Sequence, residues 1–278
     1  MRHAIEKFKD LGPLFRCPVC GEDLTFHDAA LQCSQRHTFN INRKGYVDLR
    51  RHVMTSTHYT EEFFEARRRA MDLGLYSDLI SRLRETSADI DFEAAGQKVS
   101  KPSIDIGCGD GFITRALGIG IGLDISLDGI KVAARGGGDT LWVCGDGAHL
   151  PLTDASAAWI LNVFAPSEYE DFSRICPGGT LIKVVPGATH MHQLRSLVGL
   201  PAATQDSATV LFNDRMTDVR TYDVVQTTYL ATEDDRRAVS QMSPVGFGTS
   251  NHDAPQLDYW KDLENITTHS RVLVGRLP

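Results

Sequence analysis

The stretch Ser103-Ile104-Asp105-Ile106-Gly107-Cys108-Gly109-Asp110-Gly111 constrains this chain more than any other. A short apolar strand runs straight into alternating glycines, and the helical pattern Phe112-Ile113-Thr114-Arg115 follows at once. Glycines let the backbone approach a ligand closely at the carboxyl edge of a parallel sheet, which is where open α/β folds bind. The rest of the chain beyond Pro102 agrees, alternating short apolar runs with glycine-rich turns and helical stretches. The runs predict seven strands, over 103–106, 119–123, 141–144, 158–162, 180–185, 224–230 and 270–276, with a polar helix over 232–241 between the last two. Those two should close the sheet as an antiparallel pair.

Residues 1–54 read differently. Short β-type runs (14–16, 30–32, 37–40) carry too little apolar surface for a free-standing core, so something must staple them. The staple is visible as Cys17-x2-Cys20-x12-Cys33-x3-His37. Two close pairs of soft sulfur and nitrogen donors suit a tetrahedral zinc ion, and with all four positions supplied by the protein the ion is structural. The ribbon's folding free energy would then be mostly metal-binding energy, and loss of a ligand is expected to unfold it and spare the sheet. Between the two units, helical spacing predicts helices over 60–73 and from 77 to about 84, followed by a Ser/Ala/Asp/Gly/Lys-rich linker over 87–101. The division is therefore 1–54 zinc-binding, 55–101 helical connector and linker, and 102–278 the α/β domain.

The net charge of −7 is uneven. Residues 1–101 carry 16 Lys+Arg against 15 Asp+Glu, while 102–278 carry 13 against 21. A polyanion should meet the N-terminal part, where Arg36, Arg43, Lys44, Arg50 and Arg51 are opposed only by Asp48. No run approaches the ~18 apolar residues of a membrane span, and no signal-peptide pattern opens the chain, so a soluble cytoplasmic protein is expected, with neither membrane nor DNA as partner.

The acids after the glycine loop choose the ligand. Asp124 ends the second strand, where it can accept both ribose hydroxyls, and Asp146 ends the third, where it suits an adenine amino group. Both could instead be helix caps. Asp105 precedes Gly107, Gly109 and Gly111 as it would to hold a methionine amino group, and the loop lacks the form that receives a pyrophosphate. With Ile125, Gly147 and Asn162 they make up an S-adenosylmethionine site. At the next two strand ends lie Asn162, Phe164, Pro166 and His190, where a flipped base could be read, stacked and deprotonated. Phe164 could equally be core packing, and His190 a hydrogen-bonded structural histidine.

These residues resemble the 23S rRNA guanine-N1 methyltransferases, a family with housekeeping members and relatives that confer macrolide resistance. The resemblance spans nearly the whole chain. It rests on the Cys/Cys/Cys/His pattern, Lys44-Gly-Tyr46-Val-Asp48, Ala66-Arg-Arg-Arg69, the glycine loop, Gly122-Leu-Asp124, Asn162-Val-Phe-Ala-Pro166, Pro186-Gly-x-x-His190 and Met242-Ser-Pro244. It implies a Rossmann-like, seven-stranded, mostly parallel methyltransferase domain behind a zinc ribbon that assists RNA recognition, methylation of a guanine in hairpin 35 of 23S rRNA, and a homodimer. Lys44, Tyr46, Arg67 and Arg68 are the expected RNA contacts, the cations on phosphates and Tyr46 by stacking. Two rivals stand beside this reading: a zinc-dependent RNA-binding protein without turnover, and a methyltransferase for a small molecule.

Overall fold

The computed structural model describes residues 5–9, 13–52, 59–94, 101–201, 206–242 and 259–278. Ser243 and Pro244 of the Met-Ser-Pro motif, and positions 95–100 of the expected linker, lie outside the described residues.

Near the N-terminus, β1 (Phe15–Arg16), β2 (Asp23–His27), β3 (Ala30–Gln32) and β4 (Thr38–Asn40) form a small antiparallel sheet in that order. Strand β2 was not expected, because in Asp-Leu-Thr-Phe-His only Leu24 is buried and the run reads as polar. The larger sheet holds β5 (Tyr46–Asp48), β6 (Ile104–Ile106), β7 (Ile121–Asp124), β8 (Leu141–Cys144), β9 (Trp159–Val163), β10 (Thr180–Pro186), β11 (Thr217–Tyr229) and β12 (Asn265–Arg276). Its order is β11-β12-β10-β9-β6-β7-β8-β5. The pairs from β10 through to β5 are parallel, and β12 lies antiparallel between β10 and β11, as the late strands predicted.

All seven expected strands are present, and the sheet has an eighth. Tyr46, Val47 and Asp48 pair with Trp142, Val143 and Cys144, so the N-terminal segment supplies the edge strand. The two units also share one hydrophobic core: Phe15, Leu24, Leu31 and Ile41 pack in the same cluster as Val47, Ile104, Leu123 and Val143. Arg16 pairs with Asp154 at 3.1 Å and donates its backbone N–H to the Pro151 carbonyl. A ribbon stapled by metal alone, independent of the sheet, is thus corrected: it borrows the core it cannot build.

The helices are α1 (Glu61–Asp72), α2 (Ser77–Ala94), α3 (Phe112–Ala116), α4 (Leu127–Arg135), α5 (Tyr169–Ile175), α6 (His192–Leu197), α7 (Asp206–Arg215) and α8 (Glu233–Gln241). Thr60 caps α1 through the Phe63 N–H, and Thr232 with Asp235 forms a reciprocal capping box on α8. Helix α2 corrects the expected linker at 87, since it continues to Ala94. Ile90 is buried one face-repeat beyond Leu83, Thr86 and Ser87 donate back to the carbonyls of Arg82 and Arg84, and Asp91 accepts from the Trp159 indole at 3.0 Å. Its polar composition hid a helix whose hydroxyls are satisfied internally.

Candidate active site and metal centre

The strand order reverses between β6 and β9, and the site lies at their carboxyl ends, the topological switch point of the sheet. There the glycine loop and the loop after β9 touch: Gly107, at φ +85°, lies so close to Ala165 that any side chain would collide with its methyl. Gly111, at φ +68°, is pressed likewise against the Trp142 ring. Both positions require glycine for conformation and for space.

Around this loop the charged side chains leave buried atoms without a hydrogen-bond partner among the described residues: Asp105 Oδ1, Asp110 Oδ2 and Arg67 Nε. Asp105 is 2% exposed and accepts only the Thr114 hydroxyl, at 2.6 Å on its other oxygen. Burial raises its pKa to about 7, with the Thr114 hydrogen bond opposing. Asp110 is 1% exposed, and its Oδ1 lies 3.9 Å from Arg67 Nε, too far for a hydrogen bond. Buried charges with open hydrogen-bonding positions are costly, so this cradle is complementary to a small charged ligand. The glycine loop and its acids therefore fit the amino-acid end of S-adenosylmethionine.

Ser126 fills the cap position of α4, so Asp124 is not a helix cap. Its Oδ2 accepts the Gly109 N–H and its Oδ1 the Ser126 N–H, each at 2.8 Å, so it fastens the glycine loop to the turn after β7 and keeps one lone-pair direction per oxygen for a ribose. Asp146 accepts the Ala148 N–H at 2.9 Å and is partly exposed, with Gly147 beside it. Ile125 is an exposed apolar residue between these acids, and its carbonyl lies 3.4 Å from an Arg50 guanidinium nitrogen.

Asn162 does not reach a ligand. It is fully buried and its amide is saturated: Nδ2 donates to the carbonyls of Ile106 and Pro166, and Oδ1 accepts from Ser167 and Lys183. The expectation that it reads a base or touches the cofactor is corrected, because no donor or acceptor remains; it ties β9 to β6 and shapes the loop that follows. Phe164 and Pro166 stand on that loop, Pro166 exposed. Phe164 adopts φ +52°, a strained value for a bulky residue, which directs its ring toward Tyr76 and His190 at centroid distances of 5.8 and 5.3 Å. His190 Nδ1 lies 3.0 Å from the His269 carbonyl, which only a protonated Nδ1 can bond, so Nε2 of the neutral ring is an acceptor. Burial lowers its pKa to about 4, and the ring is neutral at physiological pH.

Sequence reasoning missed Tyr76 and Lys183. Lys183 is the one charge in the apolar strand Leu181-Ile-Lys-Val-Val185, a signal that was there to read. Its buried ammonium donates to Asn162, Ala165 and Ser167, and burial lowers its pKa to about 8.

The metal-ligand set comes together. Cys17, Cys20, Cys33 and His37 place their donor atoms within 4.8 Å of one another. His37 Nδ1 is 3.5 Å from Cys17 Sγ and 3.4 Å from Cys33 Sγ, and the Cys20 and Cys33 sulfurs are 3.7 Å apart. A tetrahedron with zinc's usual bond lengths has S–S edges of about 3.8 Å and S–N edges of about 3.6 Å. The cluster has the size of a four-coordinate metal centre.

The expected RNA contacts separate. Lys44 is exposed on the turn from Asn42 to Gly45, and Arg36, Arg43 and Arg51 are exposed with it. Arg50 leaves this patch, closing a bidentate pair with Asp48 at 2.9 and 2.7 Å. Tyr46 is buried against Ile130 and Trp142, which corrects its expected stacking role. Arg68 is half-buried, and Arg67 turns inward to the acids of the glycine loop.

Residues 15–50 match the family model described as "RlmA, N-terminal", and residues 104–176 match that of a methyltransferase domain. The chain is 30% identical over 282 residues to YxjB of Bacillus subtilis, covering 94% of this chain and 96% of that protein, whose name gives it as a 23S rRNA (guanine-N(1)-)-methyltransferase. It is 36% identical over 200 residues to the 23S rRNA (guanine(748)-N(1))-methyltransferase of Streptomyces fradiae, covering 69% of this chain and 70% of that one. A Micromonospora griseorubida relative named for the guanine-N(1) reaction is 34% identical over 69% of this chain and 72% of its own length. With its metal-ligand ribbon, its glycine-loop cleft and a match along almost its full length, the chain belongs to the 23S rRNA (guanine-N1)-methyltransferase family.

Proposed function

We propose that this chain methylates N1 of a guanine in 23S rRNA, in hairpin 35, with S-adenosylmethionine in the glycine-loop cleft and a structural zinc ion on Cys17, Cys20, Cys33 and His37. The observation that carries the reading is the pairing, at one switch point, of a charged cradle with the aromatic cluster of Phe164, Tyr76 and His190. The sulfonium of S-adenosylmethionine supplies an already activated methyl group, so the chain's own work is alignment and proton handling.

Phe164, half-buried against Tyr76 and His190, and the exposed Pro166 border the space for an unstacked base. Guanine N1 carries a proton at neutral pH. As the N1–carbon bond forms and the carbon–sulfur bond breaks, that proton passes to His190 Nε2, the acceptor left by the Nδ1 bond to His269. Lys44, Arg36, Arg43, Arg51 and Arg68 hold phosphates of the hairpin. Two copies of the chain act as a homodimer, which light scattering checks.

Primer extension on 23S rRNA from cells with and without the gene tests the activity. A methyl on N1 blocks Watson–Crick pairing, so a gene-dependent stop at a guanine in hairpin 35 is expected. Full read-through in both samples overturns the reading, and a stop at a guanine elsewhere in 23S rRNA corrects the hairpin.

A further inference from the structure

Helix α1 carries the run Arg67-Arg68-Arg69, three consecutive cations that a sequence reading assigns to phosphates. The structure separates them by burial: Arg69 is exposed, Arg68 half-buried, and the Arg67 side chain is 21% exposed with its Nε wholly buried. The helix lies on the glycine loop, since Phe64, one turn before Arg67, reaches within 3.4 Å of where a side chain on Gly109 would begin. That packing aims Arg67 into the cleft. Its Nε lies 3.9 Å from Asp110 and has no hydrogen-bond partner among the described residues. A closed Arg–carboxylate pair would sit at about 2.7–2.9 Å with two parallel bonds.

Two acids and one base thus face one another across the loop with one open polar atom each. Their charges have the pattern of an amino-acid zwitterion reversed: carboxylates of Asp105 and Asp110 for an ammonium, a guanidinium for a carboxylate. The guanidinium's planar fork matches a carboxylate in two directions and leaves both oxygens bonded. An RNA phosphate does not match this place, because it brings no ammonium to offset the two acids beside it.

We infer that Arg67 holds the α-carboxylate of the methionine moiety of the cofactor, and so makes the cleft selective for a cofactor with an intact amino-acid end. This rests on the cofactor reading given above. Arg67 acts on binding, and the cations that meet RNA are the ones outside the cleft.

Calorimetric titration of the purified full-length protein tests it with two probes: S-adenosylhomocysteine, and S-adenosyl-3-thiopropylamine, which keeps the amine and lacks only the carboxylate. The wild type should prefer the first by about tenfold to a hundredfold, the usual worth of hydrogen bonds to a charged group. Arg67→Met should erase that preference by weakening the first ligand and leaving the second within about threefold. Arg67→Lys, which keeps the charge and loses the fork, should lie between and guards against a misfolded methionine variant. Equal loss for both ligands, or none for either, overturns the assignment. A lower salt slope for hairpin RNA in Arg67→Met, with ligand preference intact, returns Arg67 to the phosphates. If neither probe binds the wild type, the cofactor reading fails instead, and the inference with it.

Discussion

The Lys183 ammonium donates to the Asn162 side-chain oxygen at 2.8 Å, across directly paired positions of two parallel strands inside the sheet. The same ammonium reaches the Ala165 carbonyl and the Ser167 hydroxyl, so one buried charge gathers the loop that carries Phe164 and Pro166. Lys183→Met keeps the volume and leaves those acceptors with less. It should destabilise the protein by about 1–3 kcal/mol and raise KM for RNA more than it weakens S-adenosylhomocysteine binding. Chemical denaturation and steady-state kinetics check it; an unchanged midpoint would show that the network holds nothing.

Removing His190's acceptor should act on the chemical step. His190→Ala is expected to lower kcat by about 10²- to 10⁴-fold while cofactor affinity stays as it was. Single-turnover methylation of hairpin RNA measures it. A loss confined to KM would make His190 a wall of the base pocket and move the proton elsewhere.

Asp105 gives the cofactor step a pH dependence. Its pKa is raised to about 7 in the ligand-free protein by burial, so the folded state binds a proton that the unfolded state, near 3.8, gives up earlier. The stability this group contributes is full below about pH 4 and is lost as pH rises through about 7. An ammonium on Asp105 requires the ionised form, so S-adenosylhomocysteine affinity should rise by up to about tenfold per unit between pH 5 and 7 and then level off. Titration in buffers of different ionisation enthalpy should show proton release at pH 6. Absence of release would mean the amine bonds elsewhere.

Asp124, the proposed ribose anchor, also fastens the glycine loop to the turn after β7, through the N–H groups of Gly109 and Ser126. Asp124→Ala should therefore cost about 1.5–3 kcal/mol in cofactor affinity and lower thermal stability in the absence of ligand as well. Calorimetry paired with melting curves separates the two; a stability loss at full affinity would leave Asp124 as a fastening of the glycine loop only.

For RNA, the exposed cations near the metal ribbon are the ones to change. Arg43→Ala with Lys44→Ala should flatten the salt dependence of hairpin binding by up to about two units of slope and leave S-adenosylhomocysteine binding unchanged. Filter binding at several salt concentrations gives the slope.

What could be read from the sequence was whatever local chemistry decides. Strand runs bounded by glycine, the helical spacing over 60–73, and four metal-type donors at ribbon spacing all declare themselves within a few residues. What could not be read depends on which way a side chain faces once distant segments meet. Tyr46 and Arg67 look like surface residues beside other cations, and only pairing with β8 and packing of α1 on the glycine loop turn them inward. Asn162 had the right position for a base reader, but its hydrogen bonds are taken by carbonyls and hydroxyls that a linear reading cannot bring together.

Strand β5 finds its partner β8 roughly 100 residues later in the chain. At ribosomal rates of about 5–20 residues per second, that separation leaves the edge strand waiting for about 5–20 s before Trp142 and Val143 exist to receive it. During that interval Val47 and Leu49, which end up at 1% exposure or less, have no sheet to enter. The donors at 17, 20, 33 and 37 are all made before them, so a metal ion captured early can tie the ribbon's loops together while the core they share with the sheet is still missing. Metal supply at the moment of synthesis, rather than afterwards, is then what should set the yield of folded protein: zinc starvation during expression ought to send the chain to aggregates that later zinc does not recover.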